Sequence, residues 1–425
     1  MACMTVRTGT SGRAGRGLCL AVWGLTRAVL LLCVFKVFTV PGPDVTSDVS
    51  VIYRGWYEVL RAGSYPLDDV TWQYPPAAAL AVLSPGLLPF LEYASAFFVL
   101  VLLCDALVLG LLVYAGSRPG MRNAGAWLWV AGVPLLGPTV YARYDLMVTA
   151  VAVAALLAGV RHPRVLGALA AFGTLLKVWP VLLLAGTARG RATRRSWSAA
   201  GVTAAVLVLV SAAALPGAFA FLTFQRDRGL EIESLGALVF HVARQFGWEG
   251  HVELRYGSME FSGPHVALVS TLALALSVLA FGWLLLWRLR ARTFAVHTPA
   301  DAAFTAVLLF TVTSRVISPQ YMVWPLGVAA VCLAFRGSRT ALPACLVLLA
   351  TGVTLLEFPL GFAHVVASDG EGVALMAVRN GLLVAATLIA ARRLWRDTVP
   401  GGRQGRVAAG EVSRAGRADT PASAP

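Results

Sequence analysis

The stretch Asp48–Pro76, DVSVIYRGWYEVLRAGSYPLDDVTWQYPP, is the polar exception in an apolar chain. It holds Asp48, Glu58, Asp68 and Asp69, with Asp44 just ahead of it, and it carries Tyr53, Tyr57, Tyr65 and Tyr74 beside Trp56 and Trp72. Apolar runs flank it, one near 18–40 and one opened by Pro75-Pro76. An acidic, aromatic loop between two such runs is what a chain shows when it crosses a bilayer and leaves a polar loop beyond it.

The rest of the composition agrees. Of 425 residues 58% are hydrophobic and only 13% charged, and the mean hydropathy is +0.74. A soluble domain carries about a quarter charged residues. Apolar runs of roughly 17–25 residues recur along the chain, and they are continuous instead of alternating, which excludes a β-barrel. The sequence therefore predicts an all-α polytopic membrane helical bundle.

The net charge of +14 raises nucleic acid as a partner, but its placement argues against one. The arginines cluster in short loops between apolar runs, as the positive-inside rule requires of cytoplasmic loops. Lysine occurs only at Lys36 and Lys177. Of the cysteines, Cys19, Cys33, Cys104, Cys332 and Cys345 lie in or beside apolar runs, where a thiol behaves as a small hydrophobe, and Cys3 stands apart. Neither cysteines nor histidines have metal-ligand spacing, and no cofactor motif is present, so no metal or cofactor is expected. The basic N-terminus before the first apolar run reads as a retained signal anchor.

Spans are predicted near 18–40, 76–89, 94–115, 124–141, 145–160, 165–187, 198–222, 265–287, 301–317, 320–335, 341–357 and 373–391, about twelve in all. This divides the chain into a cytoplasmic segment 1–17, a transmembrane domain 18–397 and a disordered cytoplasmic tail 398–425. Arginines at 189–195, 288–292, 336–339 and 392–396 belong inside. The large first and fourth loops, 41–75 and 223–264, and the short turn at Ser318 then share the outer face of the plasma membrane. The same count puts Arg118, Arg122, Arg161 and Arg164 outside and Arg143 with Asp145 inside, against the charge rule. A re-entrant segment between 90 and 187 would account for this.

Three outer loops above an apolar bundle make a water-accessible cavity. Asp48 lies close enough to the membrane to be partly desolvated and to serve as a base. Tyr53 and Tyr74, with the neighbouring tryptophans, suit a sugar's apolar faces and hydroxyls, and equally suit an interfacial aromatic belt. Asp68-Asp69 competes as catalyst, cation site or solvated turn. In FQRDRGLEIES (Phe224–Ser234), Arg226 and Arg228 fit a phosphate and Glu231 or Glu233 fit sugar hydroxyls, unless the stretch is a salt-bridged turn. Lys177 sits within a span, where an ionisable group needs a partner or a cavity. Arg315, with Gln320 after Pro319, is a further phosphate candidate or a helix-end anchor.

Taken in order, these motifs resemble glycosyltransferase family 87. The resemblance rests on Asp48 and Tyr53, Gly63-x-Tyr65-Pro66 and Tyr74-Pro75-Pro76. It continues in LLKVWPVLLL (Leu175–Leu184) and SRVISPQYMVWPL (Ser314–Leu326), and runs from about 20 to 390. The stretch at 141–147 departs from the family's glutamine–asparagine pattern. The resemblance implies a GT-C-like fold and an inverting transfer of a sugar, a hexose such as mannose, from a polyprenyl-phosphate donor to a glycolipid or polysaccharide acceptor outside the membrane. It maps the catalytic carboxylate onto Asp48 and a donor-side role onto Lys177. The competing class is a transporter or flippase of a lipid-linked or polysaccharide precursor, which would show paired halves and ionisable groups converging at the midplane.

Overall fold

The computed structural model describes residues 9–67, 69–215 and 217–400. Asp68 and the tail from 401 onward lie outside the described residues, as do residues 1–8.

Among the described residues six helices are long and apolar enough to cross a bilayer: Gly15–Val34, Tyr93–Gly116, Arg191–Ala214, Val266–Arg290, Ala341–Leu360 and Gly370–Thr398. Twenty residues at 1.5 Å rise span about 30 Å, the thickness of the hydrocarbon core. Six shorter apolar helical segments pack among them, at Ala78–Leu87, Ala124–Val140, Asp145–Gly159, Pro163–Leu176, Thr298–Thr313 and Pro319–Ala334. The short segments form the middle of the bundle. Ala124–Gly132 lies so close to Val323–Ala334 that a Cβ on Gly125 would stand 2.0 Å from the Ala330 carbonyl oxygen. Small residues permit such backbone contact between membrane helices.

Proline breaks several of these segments, and a side chain satisfies the break at Pro134. Pro134 has no N–H to give the Val130 carbonyl four residues earlier. Arg27 from the first span donates to that carbonyl at 2.8 Å and to Trp129 O at 3.3 Å. The same guanidinium pairs with Asp105 at 2.8 Å. Asp105 also accepts from Trp129 Nε1 at 2.7 Å, Tyr141 Oη at 2.8 Å and Trp23 Nε1 at 3.1 Å. One buried carboxylate thus ties the first span to Tyr93–Gly116 and to the broken segment Ala124–Val140.

All the arginine-rich loops gather at one end of the bundle. Arg122 donates its backbone N–H to Ala334 O at 2.8 Å, and Arg336 N–H reaches Gly120 O at 3.2 Å. Val160, Pro163, Ala192, Phe294 and Phe335 enclose one small space there. Arg118, Arg122, Arg161 and Arg164 therefore lie with Arg189, Arg288 and Arg336, and Arg143 with Asp145 lies at the opposite end. This reverses the expectation for those six residues. The cause is the segment 76–89, which does not traverse the bundle. It leaves from and returns to the same end, since Ala77 N–H binds Leu175 O at 2.9 Å, and the Tyr57 ring lies 5.0 Å from that of Tyr93. The segment 165–187, counted as one span, instead turns back at Lys177. Pro163–Leu176 ends there, Lys177 is extended (φ −157, ψ 135), and Trp179–Leu184 starts again in a tighter winding around Pro180.

The polar stretches are not plain loops. Asp48–Tyr53 runs without a break into the helix Arg54–Arg61, and Val49, Tyr53, Trp56 and Leu60 form its buried stripe. That spacing is a single helical face. The second stretch corrects the all-α expectation. It contains a small antiparallel sheet of β1 (Leu230–Glu231), β2 (His251–Arg255) and β3 (Ser258–Ser262), in the order β1-β3-β2. HVELR and SMEFS flank a Tyr-Gly pair, a two-residue turn between short half-exposed strands.

Candidate active site

A cavity of about 750 Å³ opens at the end of the bundle opposite the arginine-rich loops. Its wall is built from the first polar stretch, the Arg143 turn, the Lys177 turn, the second polar stretch and the Arg315–Tyr321 turn. Asp48, Tyr53, Tyr74, Lys177, Arg228, Glu231, Glu233, Arg315 and Gln320 all line it. Residues far apart in sequence meet because the two polar stretches and the turns at Arg143, Lys177 and Arg315 converge at this end of the bundle.

Asp48 opens its helix and presents its carboxylate to the cavity, with about a third of the side chain exposed. Arg143 Nη2 binds Asp48 Oδ2 at 2.6 Å. The other arm of that guanidinium donates to Val45 O at 3.0 Å and Ala142 O at 2.8 Å. Arg143 is the cavity residue that counting spans sets at the wrong end, against the charge rule.

Asp69, the competing carboxylate, is occupied structurally. It accepts from Trp56 Nε1 at 2.7 Å, from Thr71 N–H at 2.9 Å and from Thr71 Oγ1 at 2.5 Å. Burial pushes its proton affinity up, but the Thr71 and Trp56 hydrogen bonds outweigh that and hold the carboxyl below its ordinary range. It fastens the turn under the aromatic cluster, where Tyr53 stacks on Trp56 at 5.3 Å and Trp56 meets Trp72 at 4.9 Å.

Lys177 Nζ pairs with Asp145 Oδ1 at 2.7 Å, and that oxygen also accepts from Trp324 Nε1 at 2.7 Å. The ammonium stands 4.8–5.5 Å from the ring centres of Tyr74, Tyr144, Tyr321 and Trp324. Four ring faces and one carboxylate compensate a cation taken almost wholly out of water.

On the opposite wall, Arg228 pairs with Glu260 at 3.3 Å and donates to Ser258 Oγ. Arg315 Nη2 donates to the carbonyls of Gln225 and Arg226 at 2.6 and 2.9 Å, which holds the end of helix Phe221–Asp227 in place. Arg226 departs from expectation. Its side chain is 77% exposed, pairs with Asp227 at 2.9 Å and does not line the cavity. Phe221, Leu222, Gln225 and Arg228 occupy the cavity face of that segment, and Arg226 falls a quarter-turn round from it.

Glu231 Oε1 accepts from Ser318 Oγ at 3.0 Å. Glu233 lies 4.0 Å from Arg379, whose guanidinium is already held by Glu357 at 2.6 and 2.9 Å. Burial pushes both the Glu231 and Glu233 carboxyls above their ordinary range, and for Glu233 repulsion from Glu357 and Glu231 adds to it. Among the described residues five buried polar atoms of the cavity lining have no hydrogen-bond partner: Tyr53 Oη, Gln73 Oε1, Trp179 Nε1, Glu231 Oε2 and Glu233 Oε1. Buried polar atoms are nearly always paired, so an orphaned set on one cavity wall marks a place for ligand hydroxyls. Burial also holds the Tyr53 phenol protonated, well above its ordinary value. Among the described residues no cluster of histidine, cysteine, aspartate and glutamate could hold a metal ion.

No curated protein and no solved structure matches this chain. The family model for glycosyltransferase family 87 matches residues 72–319, which takes in Tyr74, Lys177, Arg228, Glu231, Glu233 and Arg315 and starts beyond Asp48. With more than half of its length matched and an apolar helical bundle carrying a polar cavity at one end, the chain belongs to glycosyltransferase family 87.

Proposed function

We propose that the protein transfers a sugar, mannose by family resemblance, from a polyprenyl-phosphate donor to a glycolipid or polysaccharide acceptor on the outer face of the plasma membrane. One observation carries the reading. A single cavity holds a carboxylate braced by an arginine, three further cations and five orphaned polar atoms on its lining.

In this reading the chain passes the bilayer twelve times. The arginine-rich end is cytoplasmic and the cavity end is outside. Ala78–Leu87 is re-entrant, and Trp179–Leu184 supplies the remaining pass. Nucleotide sugars are absent outside the cell, so the donor arrives from the bilayer on its lipid.

Asp48 is the general base. Its Oδ2 is engaged by Arg143, which leaves Oδ1 to take the proton of the acceptor hydroxyl. As that oxygen bonds to the anomeric carbon, the bond from the anomeric carbon to the phosphate oxygen breaks, with inversion. The polyprenyl phosphate leaves with the bonding pair, and being a good leaving group it needs no separate acid. Lys177, Arg228 and Arg315 stabilise its charge. Tyr53, Tyr74, Glu231, Glu233 and Gln320 hold hydroxyls. A transporter is disfavoured because these ionisable groups gather at one end of the bundle, not at a midplane between two halves.

The test is transfer of radiolabelled mannose from polyprenyl-phosphate mannose to native lipid extract by membranes holding the wild type or Asp48→Asn. Transfer by the wild type and a fall of about 10²–10⁴-fold in a variant that inserts normally is the expected result. Equal transfer by both removes Asp48 from the role, and absence of transfer by the wild type removes this donor.

A further inference from the structure

The hairpin of the second polar stretch carries at its tip a tyrosine in a backbone conformation that tyrosine disfavours. Arg255 pairs with Ser258, so Tyr256 and Gly257 alone make the turn. Their φ angles are +50 and +77. Two positive φ values mark a type I′ turn, whose low-cost pairs are Asn-Gly and Asp-Gly. A bulky aromatic at the first position meets steric conflict that asparagine avoids. Stability of the hairpin alone therefore gives no reason for tyrosine at position 256.

The location of the tip gives one. Tyr256, Gly257, Ser258 and Met259 line the cavity. A Cβ added to Gly257 would lie 3.6 Å from Thr71, so the turn reaches from the second polar stretch to the first. Ser258 is tied to Arg228, which fixes the hairpin to the wall that carries the Glu231 and Glu260 carboxylates. The Tyr256 ring is half-buried, and the Arg255 guanidinium stands 5.7 Å from its centre. A flat, half-exposed face is thus held on the cavity by the loops, whereas Lys177 is buried in the lining.

The geometry points to Tyr256 as a specificity-determining platform on which the saccharide of the acceptor stacks. This inference rests on the proposed transfer reaction. A pyranose presents a face of C–H hydrogens that suits the negative face of an aromatic ring, and its rim hydroxyls remain free for the polar wall. The donor is held from the membrane side through its phosphate. The acceptor's head group must instead come in under the loops, where Tyr256 stands. The conformational cost at Tyr256 is offset by substrate binding and not by folding, so stability and binding should respond in opposite directions to its replacement.

The experiment uses the full chain in lipid nanodiscs without donor, titrated with methyl α-D-mannopyranoside as a tail-free saccharide probe and followed by saturation-transfer NMR. Tyr256→Asn should weaken binding about tenfold while the thermal unfolding midpoint stays level or rises. Tyr256→Phe, which keeps the ring, should bind within about twofold of wild type. Binding by Tyr256→Asn equal to wild type overturns the inference. So does a lower unfolding midpoint in step with lost binding, or the absence of saturable binding by the wild type. Because no donor is present, failure here is separate from failure of sugar transfer in the Asp48 experiment.

Discussion

Arg143 Nη2 stands 2.6 Å from Asp48 Oδ2 while its Nη1 is held by two backbone carbonyls, so the guanidinium is a fixed brace for the carboxylate. The brace matters because a base helps only if its free oxygen meets the acceptor hydroxyl at hydrogen-bond distance. Replacing Arg143 with methionine should lower kcat about 10–100-fold with a smaller change in KM. Lysine at that position supplies charge without the fork and should recover only part of the loss. Initial rates over a range of donor and acceptor concentrations check this, and full activity in Arg143→Met would remove the brace from the mechanism.

Glu233 provides a pH-dependent prediction. Burial, with repulsion from Glu357 and Glu231, holds its carboxyl well above the ordinary value of 4.5. A folded pKa above the unfolded one gives a contribution to stability that is complete below the unfolded value and is lost as pH rises through the folded one. The wild type should therefore lose unfolding temperature as pH rises from the ordinary carboxylate range through neutrality, and Glu233→Gln should lose less. Thermal unfolding in nanodiscs at several pH values measures it. A variant that falls more steeply than the wild type would contradict the assignment.

The Lys177–Asp145 pair makes a stability prediction with opposite single and double effects. Asp145→Asn leaves a buried ammonium without its counter-ion and should cost about 3–5 kcal/mol. Adding Lys177→Met removes the uncompensated charge and should restore most of that stability without restoring transfer, since the leaving phosphate then lacks its cation. Reversible unfolding in mixed micelles, with transfer assays on the same samples, separates the two effects. Equal damage from the single and double variants would rule out the pairing as the cause.

Much of this was legible in the sequence, and the losses have physical causes. The membrane bundle follows from run length and hydropathy, and the polar cavity from polar stretches that carry aromatics and acids. Asp48, Tyr53, Tyr74, Lys177, Arg228, Glu231, Glu233, Arg315 and Gln320 line one cavity, because the polar stretches and helix breaks that carry them converge at one end of the bundle, while Arg226 and Asp69 do not line it. Arg143 was misplaced because counting spans treats every apolar run as a crossing, and the charge rule alone argued against that count. Ala78–Leu87 is apolar through its own packing against the Tyr57 helix, and it returns to the side it left. Arg226 was indistinguishable from Arg228 in a flat reading, since only helical phase puts one on the cavity and the other in solvent. The β2–β3 hairpin was hidden because Tyr-Gly is a poor type I′ signal.

Arg27 and Asp105 give the last prediction, because a buried intramembrane charge is legible in sequence but its partner is not. The two are separated by 78 residues, and Asp105 lies in a helix that otherwise reads as uniformly apolar. Asp105→Ala strands the guanidinium and should destabilise by about 3–5 kcal/mol. The double variant Arg27→Met, Asp105→Leu removes both charges and should recover much of this. Recovery should stop short of wild type because Arg27 also serves the Val130 carbonyl that Pro134 leaves without a donor. An orphaned buried carbonyl costs about 1–3 kcal/mol. Replacing Pro134 with alanine in the double variant restores an N–H four residues after Val130 and should recover most of the remainder. Unfolding free energies for the single, double and triple variants test each step. If Pro134→Ala brings no recovery in the double variant, Arg27 serves Asp105 alone and the capping of the proline break is not part of its contribution.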